Sequence, residues 1–257
     1  GPVKTRVMGA ETPDTEAQAR RVEDFMNYQI TTVMQEYTPE MDQLLFYLPL
    51  AGSAFKKVYF DPSKQRAVST FVPTEDLVVP YTASDLETCE RITHVVKMSY
   101  NEVRSHQLAG FYRDIELKAG DPTNTDVADK VDELEGVRQG NVEMMYELLE
   151  FHVSMDVPGF EDPDGYHLPF IITVDRTSSQ ILSIRRNYRE GDPLKNKVQY
   201  FVHYKFLPGL GFYGFGLIHM IGGLSRTATG ALRQLIDAGT LANLPAGFKA
   251  RGLRIRD

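Results

Sequence analysis

The sequence is poor in cysteine and has no long apolar run. Cys89 is the single cysteine among 257 residues, which excludes an internal disulfide and fits a reducing compartment. The most apolar stretch, Leu44 to Phe55, is too short for a transmembrane helix and contains Pro49. The N-terminal residues are polar and show no signal peptide. We therefore expect no membrane partner.

The sequence also lacks the patterns that carry catalysis or bind metals. It has neither a G-x-S-x-G nucleophile setting nor a G-x-x-x-x-G-K-[ST] phosphate loop. His94 and His106 have no Cys, His or carboxylate partners at metal-ligand spacing. The carboxylates of residues 121–126 do not follow the spacing of a calcium loop. We expect no catalytic residue, no metal and no cofactor, and hence no enzyme.

Acidic and basic residues are unevenly distributed along the chain, whose formal net charge is −7. Residues 114–164 hold fifteen Asp or Glu and three Lys or Arg, whereas residues 195–257 hold nine Lys or Arg and two acids. Two interpretations are open. The segments form solvated surfaces of opposite sign, or they make contacts in which neighbouring copies meet through opposite charges or the basic end meets a polyanion.

The spacing of apolar residues predicts an α+β chain, because helical and strand periods both occur. The predicted helices cover residues 15–36, 39–48, 100–108, 127–150 and 217–238. The predicted strands lie within residues 54–82, 91–98 and 151–206. Ser99 and Glu102 match a capping box for the helix of residues 100–108, and Gly110 follows its end. Glycines at 136 and 140 interrupt the helix of residues 127–150.

Turn signals divide the second half of the chain. Residues 170–174 and 181–184 are apolar, and the polar residues 175–180 between them predict a hairpin. Residues 198–204 alternate in the manner of a strand, and we expect them to close the same sheet. Residues 142–151, with Asn141 as the cap, are instead predicted to be helical.

A glycine-rich turn precedes the last predicted helix. Gly209, Gly211 and Gly214 match G-x-G-x-x-G, which is typical of dinucleotide binding when it opens a helix inside a βαβ unit. The residues that follow the helix contain Pro245 and no apolar strand, and Asp237 lies inside the helix. A plain turn that leads into a helix is therefore favoured. The alternative is an enzyme that binds a nucleotide or phosphate at Gly209–Gly214.

Three blocks of sequence resemble one protein family. The blocks are LPLAGSAFKKVYFDPSKQRAVSTFVPTEDLVVPYTASDLETCERITHVVKMSYNEV, PFIITVDRTSSQILSIRRNYREGDP and GFYGFGLIHMIGGLSRTATGALRQLIDAGTLANLPAGF. Their order and spacing over residues 40–240 resemble the portal proteins, or head-to-tail connector subunits, of tailed double-stranded DNA bacteriophages of the short-tailed type. Such subunits are usually much longer than 257 residues, and Gly1-Pro2 matches the pair left by protease removal of a fusion tag. We therefore expect a fragment.

The resemblance implies a structural channel subunit. In its full-length form the family assembles a ring, usually twelve-fold, through which genomic DNA is packaged and ejected. The implied partners are further copies of the chain, double-stranded DNA, terminase, tail or adaptor proteins and the capsid protein. The implied location is the portal vertex of the virion, after assembly in the host cytoplasm.

The resemblance also implies a portal-like division of the chain. Residues 1–126 correspond to a wing-like α+β region, and residues 127–240 to a stem- and clip-like region of helix, sheet and helix. Residues 241–257 form a basic C-terminal segment that is cut short.

The predicted helix of residues 217–238 is rich in Gly, Ala, Ser and Thr, which suit close packing of neighbouring helices. A channel must let DNA slide, so its contacts should be scattered cations on phosphates without base readout. The candidate DNA-binding residues are Arg226, Arg233, Lys249, Arg251, Arg254 and Arg256. The alternative for this end of the chain is a solvated basic tail.

Overall fold

A computed structural model describes residues 1–61, 64–117, 145–163 and 165–243. The helices in these ranges are α1 (Pro13–Tyr28), which continues as one π-helical turn over Gln29–Val33, α2 (Tyr37–Ala51), α3 (Tyr100–Leu108) and α4 (Leu217–Asn243). The strands are β1 (Ser53–Asp61), β2 (Arg66–Val72), β3 (Leu77–Val78), β4 (Arg91–Ser99), β5 (Met145–Met155), β6 (Leu168–Asp175), β7 (Ile181–Arg186) and β8 (Phe201–Lys205). The predicted α+β class is confirmed.

The described strands form two antiparallel sheets. The small sheet has the order β2-β1-β8, and the large sheet has the order β3-β4-β5-β6-β7. Each sheet therefore combines strands from both sides of residue 126. The assignment of these segments to wing, stem and clip stays a prediction.

Two sequence expectations are wrong in this region. Residues 145–151, predicted to be helical and part of the helix of residues 127–150, lie in β5. This strand pairs with β4 on one side and β6 on the other, and these ladders outweigh the helix preference of its Met, Glu and Leu residues. β8 does not close the sheet of the β6–β7 hairpin; it pairs with β1 in the small sheet. Residues 118–144 lie outside the described residues.

Local signals, in contrast, place α3 correctly. The Ser99 backbone N–H donates to Glu102 Oε2 at 2.8 Å, and the Glu102 backbone N–H donates back to Ser99 Oγ at 3.4 Å. This reciprocal pair is the predicted capping box. Gly110 follows the helix with φ of +70°, a conformation that glycine adopts without steric cost.

Apolar side chains hold the two sheets together. Phe55 and Val72 of the small sheet share one buried cluster with Leu77 and Ile92 of the large sheet. Phe212, from the glycine-rich turn, joins the same cluster. Farther along the large sheet, a second cluster packs against α3; its members are Val103, Tyr112, Tyr146, Leu148 and Leu182. One face of the large sheet is thus covered partly by the small sheet and partly by α3.

The last helix confirms the prediction for residues 217–238 and continues to Asn243. It follows β8 and the glycine-rich turn, and it contacts α2. None of its residues is buried. No helix in the described ranges is long and apolar enough to cross a bilayer.

Candidate nucleic-acid interface

α4 carries the two candidate DNA-binding residues that the structure describes. Arg226 and Arg233 are both exposed and lie seven residues apart, which is close to two helical turns. Their side chains therefore leave the same side of the helix. The other four candidates, Lys249, Arg251, Arg254 and Arg256, lie outside the described residues and stay predictions.

The opposite side of α4 is an apolar stripe. Its members follow one another at alternating intervals of four and three residues, and we call them the α4 stripe: Leu217, Ile221, Leu224, Ala228, Ala231, Leu235, Ala238 and Ala242. Leu224 is 73% exposed and Leu235 is 71% exposed, so the described residues leave the stripe open. A helix of 3.6 residues per turn puts Arg226 and Arg233 about half a turn from it. α4 thus separates an apolar side from a polar side, which carries Arg226, Arg233 and also the exposed Asp237 four residues after Arg233.

The glycine-rich turn uses its backbone donors for internal contacts. The Gly214 N–H donates to Ser53 Oγ at 2.7 Å, and the Phe215 N–H donates to the Leu207 carbonyl oxygen at 2.9 Å. At the start of α4, the Gly216 N–H donates to His219 Nδ1 at 3.2 Å. A phosphate site needs such N–H groups to be free. These three donors tie the turn to the start of β1, to Leu207 just after β8 and to α4.

Close backbone packing explains two of the three motif glycines. A Cβ atom on Gly214 would lie 2.5 Å from the Gly52 carbonyl oxygen, and one on Gly209 would lie 2.1 Å from the Tyr213 carbonyl oxygen. A Cβ on Gly211 would meet nothing within 4 Å. The strand before the turn, β8, is antiparallel to its neighbour β1, and every pair of described strands is antiparallel. The turn therefore lies outside any βαβ unit of the described residues.

A largely buried charged cluster, which the sequence did not predict, links the two sheets. Lys57 Nζ of β1 donates to Glu150 Oε1 of β5 at 2.7 Å, and His152 Nε2 lies 2.7 Å from the same oxygen. His94 of β4, the cross-strand neighbour of Glu150, lies 3.5 Å from Lys57 Nζ through Nδ1. The Phe201 ring packs edge-on against both histidines. Lys57 and Glu150 are 93 residues apart, so no local pattern reveals the pair.

The pKa values of His94 and Glu150 are both lowered by the surroundings of this cluster. Burial, with the positive charge of Lys57, lowers the pKa of His94 to about 3. Burial by itself would raise the pKa of Glu150, but the hydrogen bond with His152 and the charge of Lys57 outweigh it, so this pKa lies well below its ordinary value. Glu150 is therefore an anion and His94 is neutral near pH 7.

The cavity beside His152 is too small to hold a substrate. The cavity that His152 lines has a volume of about 10 Å³, which is enough for about one water molecule. The arrangement suits a polar contact that holds the two sheets together, and His94 is part of it. Within the described ranges, no three His, Cys, Asp or Glu side chains come together as a metal site.

No protein-family model matches the chain, and no curated protein shows significant sequence similarity to it.

Proposed function

We propose that the chain is part of a structural channel subunit of the phage portal ring, through which genomic DNA is packaged and ejected. The single observation that carries the proposal is the ordered resemblance of three blocks over residues 40–240. The two-sided character of α4 supports it. An exposed helix with an apolar stripe on one side and arginines on the other suits a place between neighbouring protein and DNA.

In this arrangement the apolar side of α4 packs against protein, and Arg226 and Arg233 face the duplex. Their guanidinium groups attract phosphates at any base sequence, so the contact is weak at each site and lets DNA move. A closed ring requires unlike surfaces on each subunit that meet head to tail. The acidic and basic segments of the chain are one source of such surfaces.

The rest of the proposal follows the family. The partners are further copies of the chain, in a twelve-fold ring for the complete subunit, together with terminase, tail or adaptor proteins and the capsid protein. The location is the portal vertex of the virion, after assembly in the host cytoplasm. The subunit has no catalytic role, since the packaging motor of such phages is a separate protein.

The test combines mass, images and DNA binding of the purified chain. We expect cyclic oligomers with a central channel in electron micrographs, and binding to random and fixed-sequence duplexes with equal affinity that falls as salt rises. A chain that stays monomeric at high concentration and binds no duplex contradicts the proposal. So does turnover of a nucleoside triphosphate that a point substitution abolishes.

The alternative function, nucleotide or phosphate binding at Gly209–Gly214, gains no support from the geometry. The amides of Gly214, Phe215 and Gly216 already have acceptors inside the protein. Retention of a nicotinamide or flavin cofactor by the purified chain would favour it over the ring.

A further inference from the structure

A small cavity lies between the large sheet and the connection that leads from β7 to β8. The sheet contributes His152 and Pro169 to its wall, and the connection contributes Asn187, Lys197 and Gln199. Its volume is about 10 Å³, which is close to the space that one water molecule needs. This size restricts the ligand to a single water molecule or to an ion that is no larger.

Asn187 supplies the wall of this cavity with a buried acceptor. The residue is 3% exposed, and its backbone is held on both sides. Its N–H donates to the Pro169 carbonyl oxygen, and its own carbonyl oxygen accepts from the Val198 N–H, each at 2.9 Å. Its side-chain Oδ1 is buried and has no hydrogen-bond partner among the described residues. Native proteins satisfy almost every such atom, either with protein groups or with ordered water.

Lys197 supplies the same wall with a donor. Its Nζ donates to the Cys89 carbonyl oxygen at 2.7 Å and to the Leu86 carbonyl oxygen at 3.2 Å. An ammonium group carries three N–H bonds, so one is left over from the two acceptors that the described residues provide. The cavity therefore brings together one spare donor and one spare acceptor.

The chemistry of the wall selects water over an ion. The Lys197 ammonium repels a cation at this distance. An anion would meet Asn187 Oδ1, which is itself an acceptor and cannot donate to it. A water molecule suits both groups, because it accepts a hydrogen bond from one and donates a hydrogen bond to the other.

We propose that one structural water occupies this cavity, accepts from Lys197 Nζ and donates to Asn187 Oδ1. These two residues lie at the two ends of the loop of residues 188–196. The water therefore closes the base of that loop, beside the backbone hydrogen bond between Val198 and Asn187. A bridging water of this kind is nearly as favourable in enthalpy as a direct hydrogen bond. The site does not depend on the portal function, because all of its groups belong to one chain.

A high-resolution crystal structure and NMR spectra of the unmodified chain test the proposal. We expect an ordered water whose oxygen lies about 2.7–3.2 Å from both Lys197 Nζ and Asn187 Oδ1. In solution, a long-lived water should give nuclear Overhauser effects to the methyl groups of Ile92 and Val198, which line the cavity. Leu148 is fully buried in the second apolar cluster and should give none, so it is the internal control.

Asn187→Leu replaces the acceptor by methyl groups and should abolish both the ordered water and the Overhauser effects. The matched control is Asn196→Leu, the same change at an exposed position of the loop, which should leave both unchanged. A dry cavity in the unmodified chain overturns the proposal. So does a direct contact between Lys197 Nζ and Asn187 Oδ1, a water that binds only one of them, or Overhauser effects that persist in Asn187→Leu. If that variant does not fold, the crystal structure and the spectra of the unmodified chain decide the question.

Discussion

Glu150 shows how a single residue connects the two sheets. Its carboxylate accepts from Lys57 of the small sheet, and His152 holds the same oxygen. A largely buried carboxylate stabilises the fold only while its charged and hydrogen-bonded partners are both present.

Glu150→Gln keeps an acceptor for His152 but leaves the Lys57 ammonium without its counter-charge. We expect a loss of about 3 kcal/mol in the free energy of unfolding, at the low end for a buried pair because both side chains keep some exposure. Urea denaturation measures it. The double variant Lys57→Met/Glu150→Gln removes the unpaired charge and should recover part of the loss. A double variant less stable than the single one contradicts the paired-charge explanation.

His94 makes the stability of the chain depend on pH. Its pKa is about 3 in the folded chain and near 6.5 in the unfolded chain, so below pH 6.5 only the unfolded chain takes up this proton. The free energy of unfolding therefore falls as the pH drops from 6.5 toward 3. Lys57, Glu150, His152 and the Phe201 ring face the imidazole and stay the same in His94→Gln.

The measurement is the difference in unfolding free energy between the chain and His94→Gln from pH 7 to pH 4. That difference should shift in favour of the variant as the pH falls. His203, whose pKa burial and Lys205 lower to about 4, contributes equally in both proteins and cancels. Parallel pH profiles would contradict a neutral His94 in the fold.

At the scale of elements, two glycines of the glycine-rich turn should respond differently to substitution by alanine, so one serves as a control for the other. Gly214→Ala puts a Cβ against two carbonyl oxygens that belong to the backbone, at 2.5 Å from Gly52 and 2.7 Å from Leu207. We expect a loss of at least about 2 kcal/mol, as for overpacked cores. Gly211→Ala meets open space and should change stability by less than about 0.5 kcal/mol. Thermal unfolding checks both; equal effects would show that packing does not explain the motif.

The elements that sequence predicts well are those with local signals. α3 has its cap and its ending glycine within a dozen residues, and the stripe of α4 is a period that the printed sequence shows directly. β5 is different, because its Met, Glu and Leu residues favour a helix when they are considered alone. Its strand conformation comes from β4 and β6 on either side, and neither pairing is visible in the segment itself.

The functional residues, too, are only partly predictable from the sequence. Arg226 and Arg233 follow from helical periodicity, so their common side could be predicted before the structure was known. The contact between Lys57 and Glu150 depends on how one sheet packs on the other, and it joins strands that are far apart in sequence. Helical periodicity predicts on which side of the helix a residue lies, but it does not predict which residue from another element contacts it.

For the whole molecule, the charge of α4 predicts how DNA is held. Arg226→Ala/Arg233→Ala should weaken binding by the same factor for every duplex sequence, and it should reduce the slope of log affinity against log salt by about 1 for each arginine that contacts a phosphate. Gln234→Ala, on the same helix, is the control. Sequence preference that survives at high salt would contradict a sliding contact.

Assembly of copies should respond to salt according to which surfaces meet. If the acidic and basic segments join neighbouring copies, the oligomer should dissociate as salt rises to 1 M, where screening shortens to about 3 Å. Apolar contacts between copies should persist under the same conditions, because burial of apolar surface is not screened. Light scattering over a salt series measures the mass. Oligomers that are stable throughout would count against an electrostatic interface.

The pairing of β1 with β8 affects how the chain folds during its synthesis on the ribosome. Ser53 and His203, which are hydrogen-bonded across the small sheet, are 150 residues apart. At about 5–20 residues per second, translation takes roughly 8 to 30 s to supply the missing strand. Throughout that interval one edge of β1 has no β8 to pair with, and such an open edge recruits other nascent chains. Slower growth and chaperones that shield this edge should therefore matter more to the yield of folded protein than the final stability of the sheet.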